Sequence, residues 1–275
     1  MNKRNFIYTA LLFSVFSFAF IGCTKNNDLH EINPTAGYLK LASGYAAGAA
    51  TKVEIYATDS AFTGYNKLYI ALYDSTTNAF VENAQIVVTP TMDMTTMSHS
   101  APKENPSSNI AVNKLFPCSV SFIMPSTAGS WTVAVAVENK VNNKTGSVTF
   151  NLNVKDPAAA KMFSFISMVD NSSKYFVGFI PPAKPIVGIN DFEFVVYKKQ
   201  SMMMFPADSS LTATFAPTMP TMNHGSPNNV DPVHVGNGHY KGKMNFTMTG
   251  LWRLSLTFKS GTTYADSTHY FDFTF

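Results

Sequence analysis

Trp131-Thr-Val-Ala-Val-Ala-Val137 sets Trp131, Val133, Val135 and Val137 at every second position, and Trp252-Arg-Leu-Ser-Leu-Thr-Phe258 repeats the device. A period of two marks a strand with one face buried. Lys52-Val-Glu-Ile-Tyr56 and Ser147-Val-Thr-Phe-Asn-Leu-Asn-Val154 read the same way. Each half of the chain offers about seven such short runs, separated by Gly, Asn, Pro and Ser, and no long stretch keeps a helical period. The expectation is an all-β fold made of sandwiches, with Trp131 and Trp252 plugging the cores.

Working outward, the two tryptophan strands prove to be copies of one unit. Lys67-Leu-Tyr-Ile-Ala-Leu-Tyr73 aligns with Asp191-Phe-Glu-Phe-Val-Val-Tyr197, and each follows a Gly-x-Asn turn, at Gly64-Tyr65-Asn66 and Gly188-Ile189-Asn190. Ala84-Gln-Ile-Val-Val-Thr-Pro-Thr-Met92 aligns with Leu211-Thr-Ala-Thr-Phe-Ala-Pro-Thr-Met219. Met97-Ser-His99-Ser-Ala-Pro102 aligns with Met222-Asn-His224-Gly-Ser-Pro227, and Val120-Ser-Phe-Ile-Met124 with Met244-Asn-Phe-Thr-Met248. The offset stays between 121 and 127 residues in unchanged order, which predicts a tandem repeat. The copies are expected at 36–155 and 156–275, with the seam near Lys155-Asp156-Pro157, because proline cannot donate to a ladder.

The first residues speak to compartment. Lys3 and Arg4 precede an uncharged apolar run from Phe6 to Phe20, and Ile21-Gly22-Cys23 closes it. Residues 1–22 are expected to be a signal peptide, since the run is too short for a comfortable span. Cys23 after a small residue resembles a lipobox, which implies acylation there, with 23–35 as lipidated cysteine and polar tether; Phe20 stands where Leu is usual. Thr24 in place of Asp favours the outer over the inner membrane.

Composition excludes several classes. Without residues 1–22 the chain carries 18 basic and 17 acidic residues and no basic stripe, so nucleic acid is not an expected partner. Only two cysteines are present, which rules out a disulfide framework and a multi-cysteine zinc site. Tyr270 to Phe275 alternates aromatics as a closing strand of an outer-membrane barrel does, but a barrel needs many lipid-facing strands. No nucleophile elbow, His-Glu-x-x-His, P-loop or dinucleotide fingerprint occurs, so no enzyme is expected.

The chemistry concentrates after the repeated Pro-Thr-Met, in Met92-Asp-Met94-Thr-Thr-Met97-Ser-His99 and Met219-Pro-Thr-Met222-Asn-His224. Methionine most often fills core gaps. Here it sits among Thr, Asp, Ser, Asn and Pro, a loop composition. Thioethers are soft donors suited to Cu(I), carry no proton to displace, and cannot be lost to disulfides; imidazole accepts either copper state. In an extended loop Met97 and His99, and likewise Met222 and His224, point to one side. Met94 or Met219 is a third candidate ligand, and Met124 and Met248 are candidates from the facing strand. His234, His239 and Ser201-Met202-Met203-Met204 lack counterparts in the first copy and rank lower. Cys118 reads as a small buried hydrophobe more readily than as a thiolate ligand. His30 and His269 read as incidental.

Met219-Pro-Thr-Met-Asn-His-Gly225, followed by Gly238-His-Tyr-Lys-Gly-Lys-Met-Asn-Phe-Thr-Met-Thr-Gly-Leu-Trp252, resembles the YtkA-like domain, related to FixH-type proteins. The first copy keeps the outline but has Phe116-Pro117-Cys118 where the second has Tyr240-Lys241-Gly242. The resemblance implies immunoglobulin-like sandwiches and an envelope role in copper handling or respiratory-oxidase assembly. The functional expectation is a lipid-anchored copper protein, with a copper-transfer or respiratory-complex partner. The rival is a structural or protein-interaction lipoprotein that binds no metal.

Overall fold

The computed structural model describes residues 33–275, so the apolar leader, Cys23 and His30 lie outside it. Pro34–Phe275 form one compact unit. Within it the chain builds two immunoglobulin-like sandwiches in succession from antiparallel strands.

The first sandwich uses β1 (Leu39–Ala46), β2 (Thr51–Ala57), β3 (Gly64–Asp74), β4 (Ala84–Asp93), β5 (Ser98–Ser100), β6 (Lys103–Glu104), β7 (Phe116–Phe122), β8 (Ser130–Asn139) and β9 (Lys144–Leu152). One sheet runs β1-β2-β3-β7-β6 and the other β5-β4-β8-β9. The second uses β10 (Met162–Ile166), β11 (Lys174–Ile180), β12 (Gly188–Lys198), β13 (Thr212–Met219), β14 (His224–Gly225), β15 (Val230–Gly236), β16 (His239–Phe246), β17 (Leu251–Ser260), β18 (Thr263–Asp266) and β19 (Tyr270–Thr274). Its sheets run β10-β11-β12-β16-β15 and β14-β13-β17-β18, with β19 also on β17. The orders match strand for strand, except that the long β9 is replaced by two short strands. The aromatic β19 is therefore a partner of β17, from Leu251↔Thr274 to Ser255↔Tyr270.

The period of two translates directly into packing. Along β8, Trp131, Val133, Val135 and Val137 are buried, and along β17 so are Trp252, Leu254, Leu256 and Phe258. The tryptophans are buried in the two separate cores, where truncating a side chain of that size costs about 3–5 kcal/mol.

Local devices repeat as well. Asn66 holds its turn by donating to the carbonyls of Phe62 and Gly64 and accepting from the Phe62 amide; Asn190 does the same with Ile186 and Gly188. The glycines there have φ of 136° and 114°, which a side chain would resist. The Pro-Thr-Met proline also has a structural reason. The Val88 amide donates to Asn105 Oδ1 at 2.8 Å, and the equivalent Phe215 amide donates to Asp231 Oδ1 at 3.1 Å. Two residues further along the same strand edge come Pro90 and Pro217, which have no N–H to satisfy, so the edge is blunted in both copies.

The sandwiches meet over an apolar cluster. Phe176, Val195, Tyr197 and Phe205 of the second pack with Tyr65 and Ile123 of the first. A backbone bond crosses there too, from the Ser100 amide to the Met202 carbonyl, at 2.9 Å.

Candidate metal centre

The first Met/His segment turns tightly between β4 and β5; it is not the extended loop expected from the sequence. Asp93 Oδ1 accepts from the Thr95 amide at 2.9 Å, Thr95 takes a left-handed φ of 70°, and the Met94 amide donates to the Met97 carbonyl at 2.9 Å. The second turn is two residues shorter, closed by the Met222 and Asn223 amides on the Met219 carbonyl, with Asn223 at φ 52°. Asparagine tolerates that conformation well, whereas the β-branched Thr95 is strained there and is held by the Asp93 hydrogen bond to its amide.

This turn brings His99 back beside Met92 in the ladder, as the second turn brings His224 beside Met219. Met219 is thus the counterpart of Met92 and not of Met94. Both are packed in their sandwich cores, which removes Met219 from the exposed thioether set.

The imidazoles are oriented alike in the two copies. His99 Nδ1 donates to the Ser100 carbonyl at 2.8 Å, and His224 Nδ1 donates to the Gly225 carbonyl at 2.9 Å. Each ring meets a core tryptophan edge-on, Trp131 at 5.3 Å and Trp252 at 5.9 Å. Because a carbonyl can only accept, Nδ1 carries the proton and the neutral ring keeps its lone pair on Nε2. That is the arrangement metal-ligating histidines adopt, with the second ring nitrogen tied to a backbone oxygen. In His99, which is 3% exposed, Nε2 is buried without a hydrogen-bond partner among the described residues. An unmatched buried nitrogen costs about 1–3 kcal/mol unless something else uses its lone pair.

Met94, Met97, His99 and Met124 line one cavity of about 410 Å³. Trp131 secures the last of these, since its Nε1 donates to the Met124 carbonyl at 2.8 Å; Trp252 does the same for Met248 at 3.0 Å. Gly129 lets the turn pack closely beside it. A Cβ there would lie 2.5 Å from the Asp93 carbonyl oxygen and about 3 Å from the Met92 and Met94 side chains. In the second copy Met222 and Met248 are exposed to solvent and His224 is half-buried, so the candidates are oriented alike but less enclosed.

Met202, of the second sandwich, also lines the cavity, together with Phe176 and Phe205. The sequence flagged the 201–204 cluster but gave no reason to place Met202 in one cavity lining with His99. Lys174 and Lys199 reach the same space, and the lining has no carboxylate.

The remaining candidates are placed elsewhere. Cys118 is buried in β7 within the first core, outside the cavity lining, and burial together with the Glu104 charge pushes its thiol up to about 12, which disfavours the thiolate. His234 Nε2 accepts from the Gly238 amide at 3.3 Å, and His269 is held by Asp266 and Thr268 and stacks on Phe163. His239 spends both nitrogens on carboxylates, Nδ1 on Glu193 at 2.7 Å and Nε2 on Glu104 at 2.9 Å. Two acceptors require two N–H groups, so this ring is an imidazolium. Burial disfavours its charge, but the two carboxylates outweigh burial and raise it from 6.5 to about 9. Tyr65 and Tyr197 add hydroxyl contacts to Glu104, and Lys241 pairs with Glu193 at 3.2 Å. Glu104 belongs to the first sandwich and His239 to the second, so the group is an ionic clasp across the interface. Nothing in the sequence announced it, since its partners lie 135 residues apart.

No curated protein matches the chain. Among solved structures, the S-layer protein SbsC, domains 5-6, is similar at 14% identity and TM-score 0.29, covering 86% of this chain and 96% of that one. Invasin, a bacterial integrin-binding protein, is similar at 10% identity and TM-score 0.23, covering 82% of this chain and 39% of that one. A tandem of titin Ig domains is similar at 8% identity and TM-score 0.19, covering 78% and 87%. These scores are low, and the fold rests on the sheets themselves. Residues 169–257, which run from the approach to β11 into β17, match the YtkA-like family model, the family that the loop-to-tryptophan motif of the second copy resembles.

Proposed function

We propose that this protein is a non-enzymatic, lipid-anchored envelope protein that binds copper as Cu(I) through its Met/His turns, with copper handling or oxidase assembly as its role. The observation that carries the reading is the first-copy site. His99 offers a buried, unpartnered Nε2 with its proton fixed on the other nitrogen, and Met94, Met97 and Met124 line the same cavity. Soft thioethers and imidazole favour copper, whereas calcium, magnesium and manganese need the carboxylate oxygens that this lining lacks. The second turn, with Met222, His224 and Met248, is a weaker and more open site of the same kind. Neutral ligands on short turns exchange readily, which suits capture and hand-off to a partner in the envelope. Anchoring at Cys23 holds the protein at a membrane, in line with the outer-membrane sorting that Thr24 favours.

Titration of the purified protein with Cu(I), against a competing chelator of known affinity, tests the reading. Stoichiometric binding is expected, lost in a variant with Met97, His99, Met222 and His224 all changed to alanine. The Met97→Ala, His99→Ala pair should remove the tighter phase, and the Met222→Ala, His224→Ala pair the weaker one. Absence of binding, or binding indifferent to all four changes, supports instead a scaffold whose sandwiches engage a protein partner.

A further inference from the structure

We infer that the first copper site is closed across the interface, with Met202 of the second sandwich supplying a thioether to an ion held by His99 of the first. The inference rests on the copper reading and goes beyond it, because the site then reports the docking of the two sandwiches.

Three independent features converge on it. Met202 lines the cavity that holds His99, Met94, Met97 and Met124. Its backbone is fixed there, since its carbonyl accepts from the Ser100 amide at 2.9 Å, one residue from His99. The loop that carries it is itself braced, with the Gln200 and Ser201 amides donating to the Met204 carbonyl at 3.0 and 3.2 Å. Met202 is 37% exposed, on a chain segment whose neighbours Met203 and Met204 are more open still at 51% and 57%. Met202 is thus held by backbone contacts in the lining of the cavity that it shares with His99, whose buried Nε2 has no hydrogen-bond partner among the described residues. Methionine's three rotatable bonds let the sulfur swing onto an ion without moving the main chain.

The apolar cluster between the sandwiches shares Phe176, Phe205 and Ile123 with the cavity lining. Glu104, His239 and Glu193 help to hold the register of the two sandwiches whose residues together line this cavity. A change in that register withdraws one ligand and leaves the others in place, so a partner that pries the sandwiches apart would weaken the grip on the ion and favour its release.

Two measurements test this. In Cu(I) titrations, Met202→Leu keeps the volume and apolar surface but removes the sulfur, and it should weaken the tighter phase at least about tenfold. Met203→Leu should leave it unchanged. In hydrogen exchange on the full chain, Cu(I) should slow the amides of residues 199–205, which belong to the other sandwich, and should not slow them in Met202→Leu. If Met202→Leu binds as wild type and the 199–205 amides ignore copper, while His99→Ala abolishes the tighter phase, the inference fails and the copper reading stands. If His99→Ala has no effect either, both fail.

Discussion

The interdomain clasp makes a pH dependence that can be worked out in advance. His239 is raised from 6.5 to about 9 by Glu104 and Glu193, so its contribution to stability is complete below about 6.5 and is lost as pH rises through about 9. Glu193, for which burial opposes the charge but His239 and Lys241 outweigh it, is held below its ordinary 4.5, so its contribution is present above that value and fades as pH falls. The clasp is therefore complete between about 4.5 and 6.5 and releases on the alkaline side. At about 1.4 kcal/mol per pH unit, the raised imidazole sets a ceiling near 3 kcal/mol. The carboxylates are 26% and 21% exposed, and screening by water brings the figure to about 1–2 kcal/mol. In a chain of this size that is a fall of a few degrees in Tm, at about 2–4 °C per kcal/mol. The assay is thermal or urea unfolding from about pH 6 to about pH 10, for wild type and Glu104→Gln, read as the difference between them. Lysines and tyrosines elsewhere titrate in both proteins and cancel. The gap should be widest near pH 6 and close above about pH 9. A gap that is constant over this range, or that widens with alkali, refutes the assignment of the clasp as imidazolium between carboxylates.

Other outcomes follow from single residues. Glu104→Gln, which touches none of the proposed ligands, should weaken Cu(I) binding at the first site, as read by chelator competition. Gly129→Ala puts a Cβ against the Asp93 carbonyl and the Met92 and Met94 side chains, and should cost about 1–3 kcal/mol in urea unfolding together with a loss of copper affinity. Cys118 should resist alkylation in the native protein at pH 8, because it is buried and its thiol is pushed up to about 12, and should react stoichiometrically once the chain is unfolded; mass spectrometry reads both. Trp131→Phe should lose about 1 kcal/mol for the hydrogen bond to Met124 alone, besides any packing loss, and should loosen Met124 in copper titrations.

Much of this architecture was legible because it is local and repeated. Alternation in Trp131–Val137 and Trp252–Phe258 fixed which face goes inward, and two copies of Gly-x-Asn and Pro-Thr-Met marked equivalent positions of one repeated unit. The Met/His turns were legible as chemistry, since residue type alone identifies soft donors. Their detailed shape was not. Pro-Thr-Met aligned Met219 with Met92, but that this methionine points into the core in both copies, while Met94 lines the cavity, depends on ladder register. Least legible were contacts made across the interface. Met202 sharing a cavity with His99, and Glu104 paired with His239, bring together residues more than a hundred positions apart, and no periodicity or spacing encodes such pairs.

X-ray absorption at the copper edge, on protein loaded with one equivalent of Cu(I), probes the central claim most directly. The account predicts a first shell of thioether sulfur with one imidazole nitrogen, and loss of the imidazole signature in His99→Ala. A shell of oxygen and nitrogen without sulfur, or a spectrum identical in wild type and His99→Ala, would contradict it.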